Sequence, residues 1–75
     1  MRAWLRELRI NEKLSELEVA RRAEIAQPFY HNIEMGIKNP SVDTSKRIAK
    51  VLHFDWTRFF SDAESSTRNQ GGQEA

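Results

Sequence analysis

The chain has no cysteine, no apolar run longer than a few residues and no internal repeat. The first absence excludes a disulfide framework and any thiolate-held metal. The second excludes a membrane span, and no signal-peptide pattern opens the chain. At 75 residues there is room for one small domain at most. Charge of one sign is also scarce, since the formal net charge is only +1. Divided, it is less even: residues 1–60 carry 11 Lys and Arg against 8 Asp and Glu, giving +3, and residues 61–75 carry 1 against 3, giving −2. The first part is therefore mildly basic, a weak electrostatic footprint for binding a polyanion.

Residues 14–40 carry the strongest pattern. Leu14, Val19, Ala20 and Ala23 recur at helical spacing, and Ile25, Tyr30 and Ile33 do so again. Only a tight turn fits between the two runs, so the helices cross steeply, with Ala20 as the small residue at the crossing. Two short helices joined in this way form a helix-turn-helix, whose second helix can be presented to the DNA major groove.

Around this pair the remaining elements read as follows. Residues 2–13 form an amphipathic helix with Leu5, Leu8 and Trp4 on one face, Arg2, Arg6, Glu7 and Glu12 on the others, and Arg9 beside the apolar stripe. Ser15 and Glu18 make a capping box for a helix over 16–22. A third helix starts after Ala26 with Pro28 in its first turn and stops at Met35-Gly36, with Gly36 as left-handed cap. Ser41 caps a fourth helix whose buried stripe is Val42, Ile48, Ala49 and Leu52, and Asp43 suits its positive end. Asp55 caps a last helix from Trp56 to Phe60. From Ser61 onward the composition, rich in Ser, Gln and Gly, predicts a disordered tail. The organisation expected is all-α, with one domain over 1–60 and a tail over 61–75.

In this order the chain resembles the phage-repressor-like helix-turn-helix family, the Cro/CI or XRE type. The resemblance covers residues 5–60. It is carried by Leu8-Arg9, Leu14-Ser15, Val19-Ala20, Ile25, Ile33-Glu34, Gly36, Asn39-Pro40-Ser41, Ile48-Ala49-Lys50 and Leu52. It implies a compact five-helix lambda-repressor-like domain with the helix-turn-helix at helices 2 and 3. It also implies a structural ion pair between Arg9 and Glu34. Base readout falls to Gln27, Pro28, Phe29, His31 and Asn32. Gln and Asn can each contact adenine bidentately, and Phe29 can meet a thymine methyl. Phosphate contacts are expected from Arg21, Arg22, Lys38 and Asn39. The chain departs from the family at Glu16, Glu24, Ala26 and Ile37, and each departure removes a phosphate-friendly or capping group.

Competing readings of single residues are less well supported. His31 and Glu34 stand three apart on one helix, but with no third ligand no metal site is expected. Several serines are present without a nucleophile motif, and a helical domain of this size lacks a roomy pocket, so no enzyme and no cofactor are expected. The basic face of the first helix is better explained by core packing than by an anionic membrane. The aromatic cluster has two uses. Phe54 and Phe59 can close the core, and Trp56, Phe59 and Phe60 can supply a symmetric dimer contact of the kind family members make through the last helix. Leu17, Met35 and Ile37, if clustered, offer a surface for a protein partner.

The function expected is a sequence-specific DNA-binding transcriptional regulator, a repressor acting as a homodimer on a palindromic operator. By the same resemblance it is cytoplasmic, in a prokaryote or encoded by a phage. The alternative is the same fold acting mainly as a protein-interaction module, of the antitoxin or anti-repressor type, with weak DNA binding.

Overall fold

A computed structural model of the chain describes residues 1–61. Most of the expected tail lies outside the described residues, and Ser61 itself lies in the last helical turn. The fold consists of helices α1 (Ala3–Asn11), α2 (Glu16–Ala23), α3 (Gln27–Glu34) and α4 (Val42–Leu52), followed by one helical turn over 58–61. No strand occurs among the described residues. α2 packs against both α3 and α4, and α1 closes on α3.

The core is built from the apolar stripes these helices share: Leu5, Val19, Ala20, Ala23, Tyr30, Ile33, Ile48, Leu52 and Phe59. Ala20 is 1% exposed, which lets α2 pass close to its neighbours. Trp4, Phe54 and Phe59 meet edge to face, with centroids 5.2, 5.3 and 5.6 Å apart, and pin the last turn to α1.

The ends of the helices obey one rule. Residues Lys13, Glu24, Gly36 and His53 all have positive φ, between 60° and 82°. After each of the four, the next amide reaches back five residues: Leu14 to the Arg9 carbonyl, Ile25 to Ala20, Ile37 to Asn32 and Phe54 to Ala49, at 2.9–3.2 Å. This 6→1 bond is the signature of the Schellman cap, in which an apolar residue follows the left-handed one. Leu14, Ile25 and Phe54 dock on the core, whereas Ile37 stays 68% exposed. Only Gly36 adopts the left-handed conformation without a Cβ penalty. Helix starts are more conventional: Ser15 forms the complete capping box with Glu18, and the Ser41 hydroxyl accepts from the Thr44 amide.

Three expectations from the sequence are corrected here. Arg2 does not lie on an outer helical face. It precedes α1, its amide donates to the Glu34 carbonyl at 2.8 Å, and its side chain is buried. Val42 is 47% exposed and stands outside the buried stripe of α4. It is the first residue of that helix, and Ser45, fully buried with its hydroxyl donating to the Ser41 carbonyl at 2.7 Å, packs in its stead. Phe59 is 2% exposed, so it belongs to the core and offers no surface for a dimer.

The left-handed Glu24 provides a test of the fold. Glu24→Gly relieves a backbone strain of about 1 kcal/mol. It gives up an exposed 3.7 Å pair with Arg47, which contributes little. Thermal unfolding should show a Tm several degrees higher than wild type, and an unchanged or lower Tm would contradict this account of the turn.

Candidate nucleic-acid interface

One face of α3 belongs to the core and the other to solvent. Tyr30, Ile33 and Glu34 point inward and are buried. Pro28 and His31 are exposed, and Gln27 and Asn32 are half-buried. Phe29 is also half-buried, packed against the core cluster, so only part of its ring faces out. Pro28 sits in the first turn, where its missing N–H costs nothing. No side chain caps this helix, because its N-cap is Ala26.

The inward face is held by charge. Arg9 of α1 grips Glu34 with two parallel bonds, Nε to Oε2 at 2.8 Å and Nη2 to Oε1 at 3.1 Å. Its remaining nitrogen donates to the Leu14 carbonyl at 2.9 Å, and Tyr30 donates its hydroxyl to Glu34 Oε2 at 2.7 Å. Glu34 is 1% exposed. Burial by itself would raise its pKa, but the hydrogen bonds from Arg9 and Tyr30, together with the Arg9 charge, hold the carboxyl below the usual carboxylate range. The same bond to Glu34 raises the Arg9 pKa. Burial, then the neighbouring carboxylate, push the Tyr30 hydroxyl well above the ordinary tyrosine value.

The loop after α3 is anchored by Arg2. Its guanidinium donates to the Ile33 carbonyl, to the Lys38 carbonyl at 3.1 Å and to Asn39 Oδ1 at 2.6 Å, and it lies over the Phe59 ring at 5.4 Å. Asn39 therefore spends its carbonyl oxygen on Arg2 and keeps only its amide hydrogens for an outside acceptor. Lys38 is exposed beside it. Sequence reasoning missed Arg2, since an arginine before the first helix carries no local sign of burial.

The outward face carries Glu16, which the sequence marks only as a departure from the family and not as a partner of α3. Glu16, first residue of α2, receives Gln27 Nε2 at 3.1 Å and lies 3.0 and 3.2 Å from His31 Nδ1. One carboxylate thus links two side chains of α3 spaced one turn apart. Arg21 and Arg22 are exposed in the last turn of α2. Arg22 lines an open cleft of about 350 Å³ shared with Arg47, Lys50 and Val51 of the fourth helix. His31 and Glu34 do not converge: the first turns to Glu16, the second to Arg9. No cluster of three metal-binding side chains occurs among the described residues. No helix among them is long and apolar enough to cross a membrane.

Two short helices crossing at a left-handed turn, with the second exposing polar side chains along one face, is the geometry of a helix-turn-helix. The family described as Helix-turn-helix matches residues 5–59. The chain belongs to this XRE-type family of transcriptional regulators. Over its whole length it is similar to the uncharacterized HTH-type transcriptional regulator YqaF of Bacillus subtilis (strain 168). The two are 40% identical over 75 residues, covering 100% of this chain and 99% of that one. No solved structure matches significantly. Members of the family act by binding DNA and are not enzymes.

The buried pair makes a prediction about stability. Because the Glu34 pKa is lower folded than unfolded, its contribution is complete above about pH 4.3 and drains away as pH falls through the folded value. Arg9→Ala, which strands a buried carboxylate, should cost about 3–5 kcal/mol at pH 7. A domain of this size has only ~3–9 kcal/mol in total, so the variant should sit near unfolding. Denaturant titrations between pH 7 and pH 3 should show wild type losing stability on acidification more steeply than Glu34→Gln. Parallel curves would refute the network's role.

Proposed function

We propose that this chain is a repressor that reads a specific operator in the major groove with the solvent face of α3. The carrying observation is the set Gln27, Pro28, His31 and Asn32, ranged on that face while Arg9, Glu34 and Tyr30 hold the opposite face immobile. Gln27 and Asn32 suit adenine, and the exposed edge of Phe29 suits a thymine methyl. Arg21, Arg22, Lys38 and the Asn39 amide reach phosphates on either side. The anchoring of residues 38 and 39 by Arg2 supports this, because a phosphate clamp fixes register only if it is itself rigid.

The repressor acts as a homodimer on a palindromic site. Trp56 and Phe60 meet edge to face at 5.8 Å, Lys46 lies over the Trp56 ring at 5.1 Å, and Phe60 remains 38% exposed. With Phe59 in the core, this pair is the aromatic surface left for a second copy. The other reading, an interaction module with little DNA affinity, draws on the acid Glu16 at the start of α2 and on the exposure of Leu17, Met35 and Ile37.

Binding to mixed genomic fragments, titrated with salt, separates the two. A regulator retains a subset of fragments as salt rises, with log affinity falling linearly by about 0.9 per phosphate neutralised in log salt. Gln27→Ala with Asn32→Ala should abolish the selection while leaving the salt slope nearly intact. Loss of every fragment at moderate salt would reject operator reading and favour the interaction module. For the dimer, sedimentation of Phe60→Ala should show a weakened self-association with unchanged folding, and a wild type that is monomeric at all concentrations would reject the contact.

A further inference from the structure

We propose that Glu16 is a specificity-determining residue, because its carboxylate dictates which hydrogen-bonding face His31 and Gln27 present to the bases. The inference rests on base readout by α3 and adds the chemistry of what is read.

An ionised carboxylate only accepts hydrogen bonds. The His31 nitrogen lying 3.0 and 3.2 Å from its two oxygens must therefore carry a proton. A neutral imidazole has a single N–H, and Glu16 fixes it at Nδ1. Nε2, on the far side of a ring whose side chain is 48% exposed, is left as a bare acceptor. In the major groove the donors that such an acceptor can meet are the exocyclic amines, N6 of adenine and N4 of cytosine. Guanine and thymine offer acceptors at the corresponding edges, O6, N7 and O4, which face a lone pair with a lone pair. Without Glu16 the ring is free to carry its proton on Nε2 and would turn to those acceptors instead. A single carboxylate thus inverts the base preference of a neighbouring residue it does not share a helix with.

Gln27 is constrained by the same rule. Its amide could be turned either way, but only nitrogen can approach a carboxylate, so Nε2 faces Glu16 at 3.1 Å. One amide hydrogen is used there. The second hydrogen and the carbonyl oxygen remain for the base, the complementary pair that adenine N7 and N6 require. The arrangement has a counterpart in affinity: the negative charge stands at the start of α2, where it opposes the DNA backbone. Glu16 weakens binding to all DNA and sharpens the choice among sequences.

The test has two independent arms, both on the full chain. Nitrogen-15 spectra of the free protein, under alkaline conditions that leave the imidazole neutral, report the His31 tautomer. The expected result is Nδ1–H in wild type and a shift toward Nε2–H in Glu16→Ala. Nε2–H in wild type overturns the proposal whatever the protein does with DNA. Selection from randomised duplexes is the second arm, with Glu16→Gln as the isosteric variant that keeps α2 intact. Both variants should bind random DNA more tightly, and Glu16→Ala should lose about ten-fold or more of the discrimination for an exocyclic amine at one position per half-site, whereas Glu16→Gln, whose amide oxygen still accepts from Nδ1–H, should keep it. Selection that survives unchanged in Glu16→Ala, with only affinity raised, would leave base readout standing and remove Glu16 from it. A wild type that selects nothing while showing Nδ1–H would reject base readout itself, and this proposal with it.

Discussion

The structure depends on a carboxylate that has almost no access to water. Glu34 ends α3 inside the domain and receives Arg9 from α1 and Tyr30 from its own helix. A lone buried carboxylate would be strongly unfavourable, and the arrangement is tolerable only because each of its oxygens is met by a donor of fixed geometry. The bidentate fork leaves α3 little freedom to rotate about its axis. Rotation matters because Gln27, His31 and Asn32 share that helix, and turning it would point them elsewhere. The apolar core determines that the helices pack, while the ionic network determines which face of α3 looks outward.

A second arginine does the corresponding work for the loop that follows. Arg2 gathers the carbonyls of Ile33 and Lys38 and the side chain of Asn39 while its ring contact with Phe59 ties the N-terminus to the last turn. Both ends of the domain thus converge behind α3. The unusual feature of the outer surface is Glu16, an acid at the start of α2 facing two side chains of α3. Its bonds to Gln27 and His31 explain how it can be accommodated: it is part of a hydrogen-bonded face of the helix pair, and its side chain is only 24% exposed.

The helix ends set a limit on how sharply the chain turns. Four left-handed residues redirect the backbone, and three of them carry side chains that disfavour that conformation. The domain tolerates this because the apolar residues that follow three of the turns, Leu14, Ile25 and Phe54, are drawn into the core. Tertiary burial here outweighs local preference.

The helix positions were legible in the sequence because they rest on local physics. Helical periodicity, the Ser15–Glu18 box, Pro28 in a first turn and Gly36 after a last one are all signals within a few residues of the feature they determine. They located α2, α3 and α4 and the crossing at Ala20. The Arg9–Glu34 pair entered only through a family resemblance, since its partners stand 25 residues apart and nothing local joins them. What the chain alone could not reveal were the contacts between segments far apart: Arg2 under the loop 36–39, Ser45 packed where Val42 was expected, and Glu16 bonded to the helix after its own. Lys13, Glu24 and His53 gave no composition cue for their positive φ, because the force that holds them comes from the burial of the next residue. Local energies of about 1 kcal/mol decide where helices start and stop. Which side chain faces the core and which the solvent is decided only when the helices meet, because burial and ion pairing act through space and not along the chain.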